Sequence, residues 1–265
     1  MLLRPRWIAF HVLVLVLVVA MVNLGLWQLR RLDEKRAFNS TVSERILQEA
    51  VPLETLVPTG VDYRDKDASE VASLAEWRLV TVSGEYLVDE SFRVVNRSQY
   101  GRAGDNIVVP LDLGDGRTVL INRGFVPMAT TVPPVPAQRV TVVGRVHPSQ
   151  ERSRFGASDP DEGVLTEVQR IDIERLASQT TGNLLPVYLD LVSSSPAELD
   201  GLPEPVIQPD LGEGNHLSYA IQWFIFSIAA LCGWFVAIRS SLRRARRRST
   251  DQQASPQVAS PAPSG

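Results

Sequence analysis

His216, Tyr219 and Trp223 stand at i, i+3 and i+7, so a helix through them carries an imidazole and two aromatic rings on one face. Such a face offers an axial nitrogen to a metal and flat apolar surface to a macrocycle. Asn215, just before it, is a good helix N-cap by type and sets His216 in the first turn. The positive end of a helix dipole favours the neutral ring, whose lone pair is what a metal ligand needs. An aromatic belt at a membrane interface accounts for Tyr219 and Trp223 equally well, and both readings stand at this point.

Little else in the chain has reactive spacing. There is no Gly-rich phosphate loop, no nucleophile elbow and no pair of zinc ligands spaced along a helix, so no enzymatic role is expected. The single cysteine, Cys232, excludes a disulfide framework, a Cys-based zinc site and a thiol redox pair. Three histidines and three methionines are too few for a copper carrier. Asp89 and Asp105 read as solvated turn residues, and His147, before Pro148 at a strand end, as a surface histidine. Asn122-Arg123-Gly124-Phe125-Val126-Pro127 reads as a strand exit with Arg123 in a surface ion pair. His11 lies inside an apolar run and suits a hydrogen bond to a second helix better than cofactor ligation.

The elements that must position these groups begin with two apolar runs. Trp7 to Leu26 is twenty residues long, about 30 Å as a helix, one hydrocarbon thickness. It leads into Asn23, Gly25 and Trp27 without a small-x-small cleavage site, so an uncleaved anchor is expected rather than a signal peptide. Leu217 to Ile238 is the second run, twenty-two residues closed by Arg239, with Arg243, Arg244, Arg246, Arg247 and Arg248 behind it. That basic cluster, with Arg4 and Arg6 before the first run, predicts a multi-pass protein of the cell membrane with both termini cytoplasmic.

Charge separates the chain in the same way. The stretch Trp27 to His216 holds 19 basic and 29 acidic residues, a net of −10, while both ends are basic. An acidic body lacks the basic face that nucleic-acid binding requires. The expected organisation is a cytoplasmic N-terminus (1–6), a transmembrane helix (7–26), an extracytoplasmic domain (27–216), a second transmembrane helix (217–238) and a tail (239–265) that is basic and then, from residue 249, disordered.

Within the body, Leu32, Phe38, Val42 and Ile46 predict a helical continuation of the first run, closed by Pro52. Thr59 to Glu76 reads as a polar loop. The period then changes to two: Trp77–Leu87 and Ser91–Ser98 predict one hairpin, and Asn106–Leu113 and Arg117–Val126 around Gly114-Asp115-Gly116 a second. Gln138–His147 and Leu184–Val192 are further strands, Pro148–Glu167 a long loop, and Asp172 caps a short helix carrying Ile173, Leu176 and Ala177. The expected fold class is an α+β membrane protein, two transmembrane helices flanking a mainly antiparallel β domain with one or two helices.

In their order these segments resemble the Surfeit-locus family of cytochrome c oxidase assembly factors. The family's first span ends in Gly-x-Trp-Gln-x-x-Arg, matched by Gly25, Trp27, Gln28 and, in register after Leu29, Arg30. Its Asn-Arg-Gly-Trp-Val-Pro strand is matched at Asn122 to Pro127, with Phe125 for Trp. Its second span opens Asn-His-Leu-x-Tyr-Ala-x-x-Trp-Phe, matched throughout from Asn215 to Phe224, although Gly214 stands where many members have a second Asn. Pro110-Leu111 and Pro186-Val187-Tyr188 also fit.

The resemblance implies a non-catalytic factor assisting haem a delivery or insertion into the catalytic subunit of the oxidase, with haem a synthase as a further partner. It implies His216 as haem ligand, with Tyr219 and Trp223 on the haem face, and Trp27, Gln28, Arg30, Asn122, Arg123, Gly124 and Asn215 as further functional residues. The alternative is a membrane scaffold that stabilises the nascent subunit and binds no haem.

Overall fold

The computed structural model describes residues 5–150, 158–198 and 201–254. In chain order these form α1 (Pro5–Ile46), β1 (Val51–Pro52), α2 (Leu53–Leu56), α3 (Ala68–Ala75), β2 (Leu79–Tyr86), a 3-10 turn (Val88–Glu90), β3 (Phe92–Gln99), β4 (Arg102–Asp112), β5 (Arg117–Pro127), β6 (Val140–Pro148), β7 (Glu167–Val168), α4 (Ile173–Ala177), β8 (Asn183–Ser195) and α5 (His216–Ala254). The protein is α+β: two apolar helices near the termini and a mostly β domain between them in sequence. The chain divides into two compact units, residues 1–39 with 211–265, and residues 40–210.

The first unit is the paired parts of α1 and α5. Both helices are long and apolar enough to cross a membrane. Outward-facing Val12, Leu13, Leu15 and Val16 on α1 and Ile225, Ile228, Phe235 and Val236 on α5 are about half exposed. Small residues lie where the helices meet: Gly25 is buried, and a Cβ on it would stand 2.9 Å from the Phe224 ring. Close approach of backbones through glycine is the usual way apolar helices associate without a hydrophobic driving force. Residues 249–254 continue α5 as helix rather than beginning a disordered tail; residues 255–265 and Arg4 lie outside the described residues.

The second unit is built on one sheet of order β1-β2-β6-β8-β5-β4-β3-β7. Pairing of Glu85 and Tyr86 on β2 with Asp112 and Leu111 on β4 returns the sheet on itself, so β2, β6, β8, β5 and β4 form a closed ring. Most pairs are antiparallel, but β1–β2, β3–β7 and β5–β8 are parallel. The ring encloses one core, with Val82, Val109, Ile121, Val142 and Val187 each from a different strand. A second core lies on the other face of β3, β4, β5 and β8, where Phe92, Val108 and Leu120 pack under Ile173 and Leu176 of α4. Central β5 feeds both cores with alternate residues, which is why Val119, Leu120 and Ile121 run apolar without a break.

The predicted β4–β5 hairpin and the strands β6 and β8 are present, and Asp172 Oδ1 accepts from Arg175 N at 3.2 Å as the cap of α4. Two expectations fail. The β2–β3 hairpin does not form: β3 pairs instead with β4. The turn between them is Tyr100-Gly101, both at positive φ (51° and 76°), the geometry that matches the twist of a two-residue hairpin. Thr59–Glu76 contains α3, because Ala68, Ala72 and Ala75 at i, i+4 and i+7 give a narrow buried stripe within a polar sequence. Of the predicted loop Pro148–Glu167, residues 151–157 lie outside the described residues.

Candidate functional site

His216 is the first residue of α5, and the helix opens with Tyr219 N donating to the Asn215 carbonyl at 3.1 Å. Gly214 has φ +68°, the left-handed region that glycine and asparagine tolerate best, which accounts for an Asn at this position in related chains. The His216 ring is half-buried, and its Nδ1 lies 2.8 Å from Gln28 Oε1 on α1. An amide oxygen only accepts, so this contact places the ring proton on Nδ1 and leaves Nε2 with a lone pair. Among the described residues Nε2 has no hydrogen-bond partner. Fixing one imidazole nitrogen so that the other can ligate is how histidine ligands are commonly held. A Cβ on residue 214 would come within 3.7 Å of Nε2, so glycine keeps that side uncovered.

Tyr219 is 51 % exposed and Trp223 half-buried, the two rings continuing the helix face that begins at His216. Trp27 and Arg30 are exposed. Lower on α1, Arg36 makes a two-pronged ion pair with Glu213, both bonds at 2.9 Å, close before α5 begins. At the far end of the pair, Trp234 Nε1 donates to His11 Nδ1 at 2.8 Å, the interhelical bond expected of His11. Gln28 and His11 therefore engage α5 at separate levels.

Asn122, Arg123 and Gly124 are not a surface. Asn122 is 3 % and Arg123 2 % exposed. Arg123 Nε donates to Glu198 Oε1 at 2.9 Å and Nη2 donates to Oε2, and Nη1 reaches the Pro133 carbonyl. Gly124 has φ +129°, and a Cβ there would stand 2.1 Å from the Glu204 carbonyl oxygen. Phe125 pairs with Glu204 through both backbone bonds, 2.7 and 2.8 Å. The Asn-Arg-Gly-Phe run thus fastens residues 198–204, and the sequence reading of a functional surface is corrected to an internal clasp.

A polar cluster that sequence reading missed lies beside this clasp. Asn122 Nδ2 donates to Asp190 Oδ1 at 2.7 Å. His147, read from sequence as a surface residue, is 8 % exposed and stacks on Tyr188 at 5.3 Å with Trp77 edge-on at 4.7 Å. Its Nε2 is 3.0 Å from Asp190 Oδ2, an ion-pair distance at an angle unsuited to a hydrogen bond. Burial pushes the Tyr188 hydroxyl up, Asp190 adding to it, and burial pulls the Arg145 guanidinium down against the opposing pull of Asp190. The available signal was Arg145-x-His147 and Tyr188-x-Asp190, polar residues alternating with Val and Leu in otherwise apolar strands.

Fold and site together define a β-ring domain carried between two apolar helices that are joined by a histidine–glutamine contact. The chain belongs to the SURF1 family, whose sequence profile matches residues 15–228. An uncharacterised SURF1-like protein of Mycobacterium tuberculosis is 31 % identical over 252 residues, covering 93 % of this chain and 88 % of that one. A SURF1-like protein of Monosiga brevicollis is 26 % identical over 247 residues (87 % and 88 % coverage), and Surfeit locus protein 1 of Rattus norvegicus is 25 % identical over 234 (80 % and 70 %).

Proposed function

We propose that this protein is a two-span membrane protein, both termini cytoplasmic, that assists assembly of cytochrome c oxidase by holding haem a for delivery to the catalytic subunit. The observation that carries the reading is the Gln28–His216 contact, which orients a half-buried imidazole with its second nitrogen uncommitted. Family membership supports the broader role, and two helices long enough to span support the membrane location.

The residues present fit such a group. His216 Nε2 supplies a neutral axial nitrogen, Gln28 fixes its direction, and Tyr219 and Trp223 supply aromatic surface along the same helix face. Haem a, when bound, supplies the iron that takes this nitrogen. Gly214 holds open the approach to Nε2, and Asn215 starts the helix that carries the ring. Interaction with haem a synthase on one side and the oxidase subunit on the other is the corresponding partner set.

The test is co-expression of wild type and His216→Ala with haem a synthesis, followed by haem-to-protein ratio and the Soret band of the purified proteins. Loss of haem from a variant that still inserts in the membrane is expected, because α5 stays apolar without one imidazole. An unchanged ratio and spectrum would refute ligation by His216 and favour a scaffold that binds no haem.

A further inference from the structure

The face of the sheet opposite the ring core is not apolar throughout. Across β4, β5 and β8 the register aligns Asn106 with Phe125, Val108 with Asn122, and Asn122 with Asp190. Above them is a cavity of about 280 Å³, with Asn122, Asp190 and Tyr188 on its floor, Arg97 at its β3 end, and Phe125 and Ile171 among its apolar walls.

The floor has an unmet demand. The Asp190 carboxylate only accepts, so the Asn122 amide must turn its NH2 toward it, which points Oδ1 away. That oxygen is buried and has no donor. Buried acceptors in native folds are nearly always satisfied, by protein, by ordered water or by a ligand. Tyr188 accepts from Gln150 Nε2 at 2.9 Å, and its own proton has no acceptor among the described residues. The floor therefore offers an acceptor and a donor side by side.

Charge favours an anionic group at the other end. Arg145 and Asp190 lie at one register position and offset each other, while Asp105 is 3.7 Å from Arg93 and Glu204 is held by Arg102. Arg97 spends one N–H on the Gln169 carbonyl at 2.8 Å and keeps the rest of its fork, a geometry suited to a carboxylate. Three strand spacings, about 14 Å between backbones, separate Arg97 from Asp190.

We propose that this cavity binds a small carboxylate that also carries a hydrogen-bond donor, an amino or hydroxy acid with an apolar body. The carboxylate lies on Arg97, the donor on Asn122 Oδ1, and the body against Phe125 and Ile171. The site is contained within the 40–210 unit, and neither its ligand nor its test involves haem.

The full chain in detergent is titrated calorimetrically with L-leucine, with 4-methylpentanoate, which lacks the donor, and with L-leucinamide, which lacks the carboxylate. Saturable leucine binding is expected, with each analogue at least tenfold weaker. Arg97→Gln should weaken leucine at least tenfold and leave leucinamide unchanged. Asn122→Ala should do the reverse, weakening leucine and leaving 4-methylpentanoate unchanged. Should Asn122→Ala fail to fold, Arg97→Gln decides alone, its side chain being half-buried at the rim. No saturable leucine binding by protein that melts cooperatively means a cavity filled by water alone, and overturns the proposal. So does leucine binding indifferent to Arg97→Gln.

Discussion

Gln28 Oε1 lies 2.8 Å from His216 Nδ1, although 188 residues separate the two in sequence. One belongs to the Gly-x-Trp-Gln end of the first apolar run and the other to the Asn-His opening of the second, so the two segments converge on one imidazole. The contact fixes which ring nitrogen carries the proton, and it makes Gln28 a positioning residue for whatever His216 binds.

Gln28→Leu removes the acceptor at nearly constant bulk. Haem a affinity, read by Soret titration of the purified protein, should fall about 10- to 100-fold. Gln28→Glu keeps an oxygen at that point and should restore most of it. Equal affinity in all three proteins would detach Gln28 from ring orientation and leave it a packing residue.

Gly124→Ala places a Cβ 2.1 Å from the Glu204 carbonyl oxygen, in a backbone conformation (φ +129°) that L side chains rarely adopt. Strain and loss of the Phe125–Glu204 pairing should cost about 2 kcal/mol or more. The observable is a lowered melting temperature of the full chain in detergent, together with faster proteolysis after residue 196. A variant that melts with wild type would mean the clasp does not constrain this segment.

Acid should loosen the same clasp. Arg102, at 2.6 Å, holds the Glu204 carboxyl below its ordinary value. A carboxyl depressed on folding adds stability above its unfolded value, about 4.3, and that stability is lost as pH falls through the lower folded value. Arg102→Gln removes this contribution, so its melting temperature should fall less steeply than that of wild type below about pH 5. Parallel curves would show that the pair contributes nothing, the usual outcome for an exposed ion pair.

Reporter fusions test the topology. An enzyme active only outside the cytoplasm should work when inserted within residues 50–210 and fail when fused after residue 250, because Arg239 to Arg248 directly follow an apolar run. Activity at the C-terminus would reverse the proposed orientation.

The sequence by itself determined the local terms. Two apolar runs, the Asp-Gly turn of β4–β5, the Asp172 cap and the alternation of β6 and β8 all depend on neighbours a few residues apart, where propensity and period act. The strand partners of β2 and β3 were not legible, because pairing depends on which edges meet in space; the Tyr100-Gly101 turn, with a tyrosine at positive φ, is not a strong hairpin signal. Helix α3 was hidden for a related reason: alanine buries little area, and only the wall it packs against makes three of them an apolar face. At the candidate site the residue types of His216 and Gln28 were visible, but their contact was not. Folding also turned Asn122-Arg123-Gly124 from a supposed surface into a clasp and gathered Arg145, His147, Tyr188 and Asp190 around a cavity. A hydrogen bond or ion pair between distant residues is written in no local pattern, and only the closed ring and the paired helices bring those atoms within reach.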